Sequence, residues 1–341
     1  MKALQLQGVQ QFAVVDLPVP QPGPDQILVR TGATTICTSD LNDLHANPFH
    51  IPLPMTMGHE GAGTVAAVGE SVTDFAAGDR VAAHPVQPCG RCPVCRGGLP
   101  HLCPEMTHFG LSIPGTMAEY FLVRADRARL LPAETDFSLA ALAEPICVCL
   151  EALAQARLKP GGRLLILGDG PFGLIMARLA QTMDLAALVV AGWEDFRLAF
   201  AHGARTLNTA HDRHAAQTLL AACGAADGEV PGYDAAILAA ATPQAVADGL
   251  DCLKPRGRLV IFASLHGGTP VDLFEVQMKE LEIVGSVNDE ELFDEAVRLV
   301  AQGQPVFADL VTHRFALDDY RAAFDLADTG QSQAVKVAFV F

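Results

Sequence analysis

The chain has 341 residues, half of them apolar and 18% charged, which is enough for two hydrophobic cores and too apolar for a disordered polymer. Its 23 Lys and Arg against 39 Asp and Glu leave a net charge of −16, so polyanions are excluded as partners, both nucleic acid and anionic membrane. The opening MKALQLQ does not read as a signal peptide, and no uninterrupted apolar run reaches about 18 residues, which predicts a cytoplasmic protein. In a reducing compartment, nine cysteines call for metal sites or catalytic thiols rather than disulfides.

The N-terminal region reads as short β-rich segments at residues 3–6, 12–15, 26–30, 63–68, 80–83 and 118–123, separated by Pro, Gly and Asp clusters such as 18–24. This predicts a small β-barrel or open sheet with long loops. From Gly162 the rhythm changes to a strand at 163–167, a helix at 173–183, a strand at 187–191 and a helix at 196–202 closed by Gly203. Apolar runs at 235–239, 259–263 and 281–284 continue it. Near-continuous apolar strands alternating with amphipathic helices predict a parallel sheet covered on both faces. A helix at 291–302 and a terminal strand at 334–341 complete the chain. The boundaries fall near Glu151 and Gly285, giving one domain of residues 1–150 with 286–341 and another of 151–285.

Gly168-Asp169-Gly170-Pro171-Phe172-Gly173 is a G-x-G-x-x-G that directly follows a strand and opens a helix, the context that makes this motif a dinucleotide site. The first Gly permits the tight turn, the second lets a pyrophosphate approach the backbone, and the third packs helix against strand. The helix N-terminus offers free N–H groups to the anion. An acid about 20 residues on normally holds the ribose 2′-hydroxyl of NAD. Here the strand ends in Gly192, followed by Trp193, Glu194 and Asp195. Gly192 leaves room for a 2′-phosphate and Arg197 is the nearest cation, whereas Glu194 and Asp195 oppose one. The residues divide between NAD and NADP and lean to NADP.

Cys89-x2-Cys92-x2-Cys95-x7-Cys103 puts four thiolates on one loop turned by Gly90, Pro93, Gly97, Gly98 and Pro100. Four Cys without an open position suit tetrahedral structural zinc. A nucleic-acid-binding ribbon is disfavoured, because the lobe at 89–103 has only Arg91 and Arg96 as cations. A second set is dispersed: Cys37 in Cys37-Thr38-Ser39-Asp40, and His59-Glu60 in Gly58-His59-Glu60-x2-Gly63-x5-Gly69. A thiolate, an imidazole and a carboxylate leave one coordination position open, as a zinc that holds a substrate oxygen requires.

These motifs, with Gly115-Thr116-Met117-Ala118-Glu119-Tyr120, together resemble the zinc-containing medium-chain alcohol dehydrogenase family, in order along the whole chain. The resemblance implies a GroES-like catalytic domain built from both chain ends, a Rossmann coenzyme domain between them, two zinc ions per chain, and a homodimer or homotetramer. It makes Cys37 and His59 ligands of a catalytic zinc and Ser39 the start of a proton relay. The third ligand position matches Glu144 in Ala143-Glu144-Pro145, which resembles the polyol and threonine dehydrogenase branch, where Glu60 can also approach the metal. The usual relay histidine is replaced by Asn42, leaving water or a histidine such as His45 or His50 to carry the proton. Cys147, Cys149, Cys223 and Cys252 are assigned to packing.

The resemblance implies hydride transfer between NAD(P) and a secondary alcohol of a polyol, sugar or sugar acid, or the corresponding ketone. Ser286 and Asn288 are expected at the coenzyme or substrate, Asn288 standing where sorbitol-type enzymes often carry Arg. A threonine-like amino alcohol or a simple secondary alcohol is the alternative, the latter favoured by an apolar pocket around Phe49, Ile51 and Phe109. A non-catalytic zinc-binding relative is opposed by the retention of Cys37, Ser39, His59, Glu60 and Glu144.

Overall fold

The strand Gln26–Thr35, largely buried, organises the first of two units in this computed structural model, which describes residues 1–265, 267–289, 291–302, 304–328 and 333–341. The units are Met1–Cys147 with Asn288–Phe341, and Val148–Val287. In the first, Gln26–Thr35 pairs antiparallel with Glu60–Val68, Tyr120–Arg124 and the C-terminal strand Lys336–Val340. Arg80–Ala83 and Ala128–Leu130 extend the sheet on one side and Val311–Phe315 on the other. Ile27, Val29, Val65, Phe109 and Phe121 fill one core cluster, while Leu4, Met117, Phe324 and Phe339 belong to another.

Register in this sheet decides what the site contains. Thr35 lies opposite both Glu60 and Ala338, so Glu60 and Lys336 are brought to the same end of the central strand. The glycine at 63 is required by that pairing: a Cβ there would lie 2.1 Å from the Arg30 carbonyl oxygen. Glycine spacing after His59 is therefore partly a packing signal.

The second unit is a six-stranded parallel sheet in the order Arg205–Asn208, Leu185–Gly192, Gly162–Leu167, Tyr233–Leu238, Leu253–Ile261, Glu282–Gly285. In chain order this is 3-2-1-4-5-6, the doubly wound dinucleotide-binding topology. Every residue of Gly162–Leu167 is buried, as a central parallel strand covered on both faces requires.

One local expectation changes. The helix at 196–202 is only Asp195–Leu198, because Arg178 and Gln181 side chains take the carbonyls of Phe200 and His202 and hold that segment as turns. The segment Phe137–Gln155 is long and apolar enough by composition to cross a membrane, with mean hydropathy 1.7, although Glu144 and Glu151 interrupt its apolar run as the sequence reading requires. It is broken into Phe137–Ala140 and Ala143–Gln155, carries Glu144 and Glu151, and is 72% buried inside the protein, so it is a core element.

Candidate active site and metal centres

The four-cysteine lobe is preorganised. Cys92 Sγ lies 3.5 Å from Cys95 Sγ and 3.8 Å from Cys103 Sγ, and Cys89 Sγ lies 4.0 Å from Cys95 Sγ. A tetrahedron of zinc–sulfur bonds of about 2.3 Å has edges of roughly 3.8 Å, so the donors fit structural zinc. Backbone N–H groups of Cys92 and Cys95 donate to Cys89 Sγ and Cys92 Sγ at 3.4 Å, which favours thiolates. The N–H of Arg91 is the largest of the effects that lower the Cys89 thiol to about 7.

The second centre forms where the central strand ends. Cys37 is the N-cap of the helix Thr38–Ala46, and its N–H donates to Asp40 Oδ2 at 2.8 Å. Asp40 Oδ1 lies 3.6 Å from His59 Nδ1, an electrostatic contact that favours a proton on Nδ1 and leaves Nε2 as the ligating nitrogen. Burial opposes protonation of His59, but Asp40 and Cys37 outweigh it and raise its pKa well above the ordinary value. Ser39 Oγ stands 3.4 Å from His59 Nε2. One donor atom each from Cys37, His59 and Glu60 lie within 4.8 Å of one another, all buried.

Glu60 is fully buried and ion-paired. Both its oxygens accept from Lys336 Nζ at 2.6 Å, and Thr35 Oγ1 donates to it as well. Glu144 is in the opposite condition: its Oε2 is buried without a hydrogen-bond partner, and burial pushes its carboxyl up to about 8. A buried carboxyl with an orphaned oxygen, in the field of His59 and Glu60, fits a ligand to a cation that the protein alone does not supply.

Several residues here were not picked out from the sequence. Asp40 is signalled only by its capping-box spacing from Cys37. His108 packs against His59 with ring centroids 5.5 Å apart, and its Nδ1 bonds the Phe109 carbonyl at 2.7 Å. Burial first and the neighbouring His59 second lower its pKa to about 3, so it is a neutral imidazole with Nε2 unprotonated. His45 is engaged with Asp328 at 3.0 Å on the surface.

Cys147 is not simple packing. It forms a buried cluster with His84 and Asp289: His84 Nε2 donates to Asp289 Oδ1 at 2.5 Å, and the Cys147 thiol also hydrogen-bonds Asp289. Burial raises the Cys147 pKa and keeps it a thiol. Although burial opposes it, the bonds from His84, Cys147 and the Leu292 N–H hold Asp289 down to about 2. The donors could suit a metal, but the Val86 N–H donates to His84 Nδ1 at 3.0 Å. That bond puts the ring proton on Nε2, so the nitrogen facing the cluster is a donor and not a ligand. Cys149, Cys223 and Cys252 bond backbone groups within the second unit.

In the second unit the glycine turn matches a dinucleotide cradle. A Cβ on Gly173 would lie 2.0 Å from the Gly168 carbonyl oxygen, whereas one on Gly170 would meet only open space. The helix Pro171–Ala180 starts at Gly170 without a side-chain cap, leaving N–H groups of its first turn, from Phe172 onward, for an anion. The room expected beside Gly192 is absent, since a Cβ there would lie 2.4 Å from Asp169 Cβ. Glu194 offers its N–H to Asp169, and Arg197 lies on the short helix Asp195–Leu198. Ser286 Oγ is buried without a protein partner, while the Asn288 amide donates to the His101 carbonyl at 2.9 Å, beside the zinc lobe.

The Rossmann sheet, the GroES-like sheet and two cysteine-containing metal centres define a zinc dehydrogenase. Comparison with known proteins agrees: the alcohol dehydrogenase GroES-like domain matches residues 23–133 and the zinc-binding dehydrogenase domain residues 171–302. The chain is 32% identical to 2-dehydro-3-deoxy-L-galactonate 5-dehydrogenase of Pseudoalteromonas atlantica, over 98% of this chain and 97% of that one. It is 30% identical to L-threonine 3-dehydrogenase of Escherichia coli, over 98% of each. A zinc-binding dehydrogenase of Sinorhizobium meliloti solved with NADP superposes with a TM-score of 0.90 at 28% identity, covering 100% of this chain and 99% of that one. The chain belongs to the zinc-containing medium-chain dehydrogenase family, in its threonine and polyol branch, and is an NAD(P)-dependent alcohol dehydrogenase.

Proposed function

We propose that the protein oxidises a secondary hydroxyl of a small polyhydroxylated molecule, a sugar acid or polyol, to the ketone. The observation that carries this is Glu144, whose buried Oε2 has no hydrogen-bond partner and whose carboxyl feels the charges of His59 and Glu60. Cys37, His59 and Glu144 would hold the catalytic zinc, and Cys89, Cys92, Cys95 and Cys103 the structural one. When bound, the zinc supplies a Lewis acid for the alcohol oxygen and the coenzyme accepts the hydride. Asp40 orients Cys37 and His59, Lys336 holds Glu60 back as an ion pair, and the Ser39 hydroxyl would relay the substrate proton, accepting it while its own proton passes to water. His108 offers a second polar contact.

A simple secondary alcohol is less favoured, because Phe109 is fully buried against Phe121 and Phe49 is 49% exposed. Sugar acids, polyols, L-threonine and 2-alkanols offered with either coenzyme should separate these readings by the absorbance of reduced nicotinamide. The sugar acids or polyols are expected to give a kcat/KM roughly tenfold or more above the others, the weight of one or two substrate hydroxyl hydrogen bonds. A 2-alkanol turning over faster would overturn the assignment.

We also propose a homodimer in the cytoplasm. Glu282–Gly285 is an edge strand with Ile283 exposed, flanked by exposed Leu273, Phe274 and Met278 on the helix Leu273–Met278, an apolar edge that a second copy can cover. None of the nine cysteines, all of them among the described residues, is in a disulfide, which suits a reducing compartment. Light scattering should give the mass of two chains, falling to one for Ile283→Lys; a wild-type monomer would refute the dimer.

A further inference from the structure

The side chain that fills the space beside Gly192 belongs to Asp169, the second residue of the glycine turn. Its Oδ2 accepts the N–H groups of Trp193 at 2.8 Å and Glu194 at 2.7 Å, which ties the first turn of the fold to the end of the next strand. Its Oδ1 makes no hydrogen bond among the described residues. A Cβ on residue 192 would fall 2.5 Å from Asp169 Oδ2, so this chain cannot carry an acid at both positions. Only glycine at 192 admits the Asp169 carboxylate.

We propose that Asp169 supplies, from the glycine turn, the carboxylate that receives the coenzyme's ribose 2′-hydroxyl, and that it selects NAD over NADP. The carboxylate occupies the volume that an acid at the strand end would have filled. It lines a pocket with Gly168, Gly192, Trp193, Thr242 and Asp248, and no Lys, Arg or His lines that pocket among the described residues. A ribose hydroxyl can donate to Asp169. A 2′-phosphate, at about −2 charge, would meet two carboxylates without a cation. The one cation lining the adjoining pocket among the described residues, Arg213, is accompanied there by Asp212, Asp248 and Asp251. This assignment reverses the leaning to NADP drawn from Gly192 and Arg197, and rests on this unit being the coenzyme site.

The chain contains a single tryptophan, Trp193, which lines the pocket, so its fluorescence reports coenzyme binding without turnover. Titrations with NAD and NADP are expected to show wild-type protein binding NAD at least about tenfold more tightly, the weight of one hydrogen bond to a charged group. In Asp169→Asn the preference should shrink to within about threefold, mainly by weaker NAD binding. Because Asp169 also holds the turn at 193–194, a second variant is needed: Asp169→Gly with Gly192→Asp, which removes the Cβ that would lie 2.4 Å from one at 192, moves the carboxylate back to the strand end and should restore the preference. Tighter NADP binding by the wild type, or an unchanged ratio in Asp169→Asn, overturns the role of Asp169. If neither coenzyme alters Trp193 emission in the wild type, the coenzyme-site reading itself fails, and with it the inference.

Discussion

Cys37→Ala is expected to abolish turnover while leaving coenzyme binding intact. In the proposed centre Cys37 is the sulfur donor beside His59, and without it the remaining nitrogen and carboxylates would hold zinc far more loosely. The Lewis acid contributes several kcal/mol to the reaction, so kcat should fall by about three to four orders of magnitude or more. Zinc content should fall from two ions per chain to one, the remaining ion held by the four-cysteine lobe. Coenzyme affinity, read from Trp193, should stay within about twofold of the wild type, a change of no more than ~0.4 kcal/mol. Residual turnover above a tenth of wild type would exclude a zinc centre built on Cys37.

The largest expected effect on stability comes from Lys336→Met. Lys336 is 1% and Glu60 0% exposed, and Lys336 also donates to the Ile36 carbonyl at 3.0 Å. Burial lowers the Lys336 pKa, but Glu60 and then Cys37 outweigh it, so the lysine stays charged. Methionine has nearly the same shape and no charge, which strands a buried carboxylate. Breaking such a pair on one side costs about 3–5 kcal/mol. Denaturant unfolding followed on the catalytic unit should show this loss, and Glu60→Gln combined with Lys336→Met should recover at least half of it, because the double variant leaves no buried charge. A single variant costing under about 1 kcal/mol would mean that water reaches Glu60 and that the pair is not a closed one.

The parts of the site legible in the sequence are those whose geometry is local. Four cysteines within 15 positions, on a loop punctuated by glycine and proline, can reach one ion whatever surrounds them, and their sulfur spacing in the structure matches that reading. Gly168, Gly170 and Gly173 announce a turn between strand and helix for the same reason. The polar partners were not legible. Lys336 is 276 residues from Glu60 and Asp289 is 205 from His84, so no spacing rule connects them. A helix at 196–202 was overestimated because the side chains that take its carbonyls, Arg178 and Gln181, lie at the end of another helix.

Gly192 shows most sharply how far a sequence reading extends. Its small size was visible, and as a gap it argued for a phosphate; whether the gap stays open depended on a residue 23 positions earlier. The sequence by itself determined the family, the two-sheet architecture and the metal-bearing motifs, since these rest on periodicity and short-range spacing. Only the tertiary structure decided which partner each buried charge meets: Glu60 with Lys336, Asp289 with His84 and Cys147, and Asp169 with the backbone beyond Gly192. A charge removed from water must find a partner within a few ångströms, and strand register and turn geometry, not position along the chain, choose that partner.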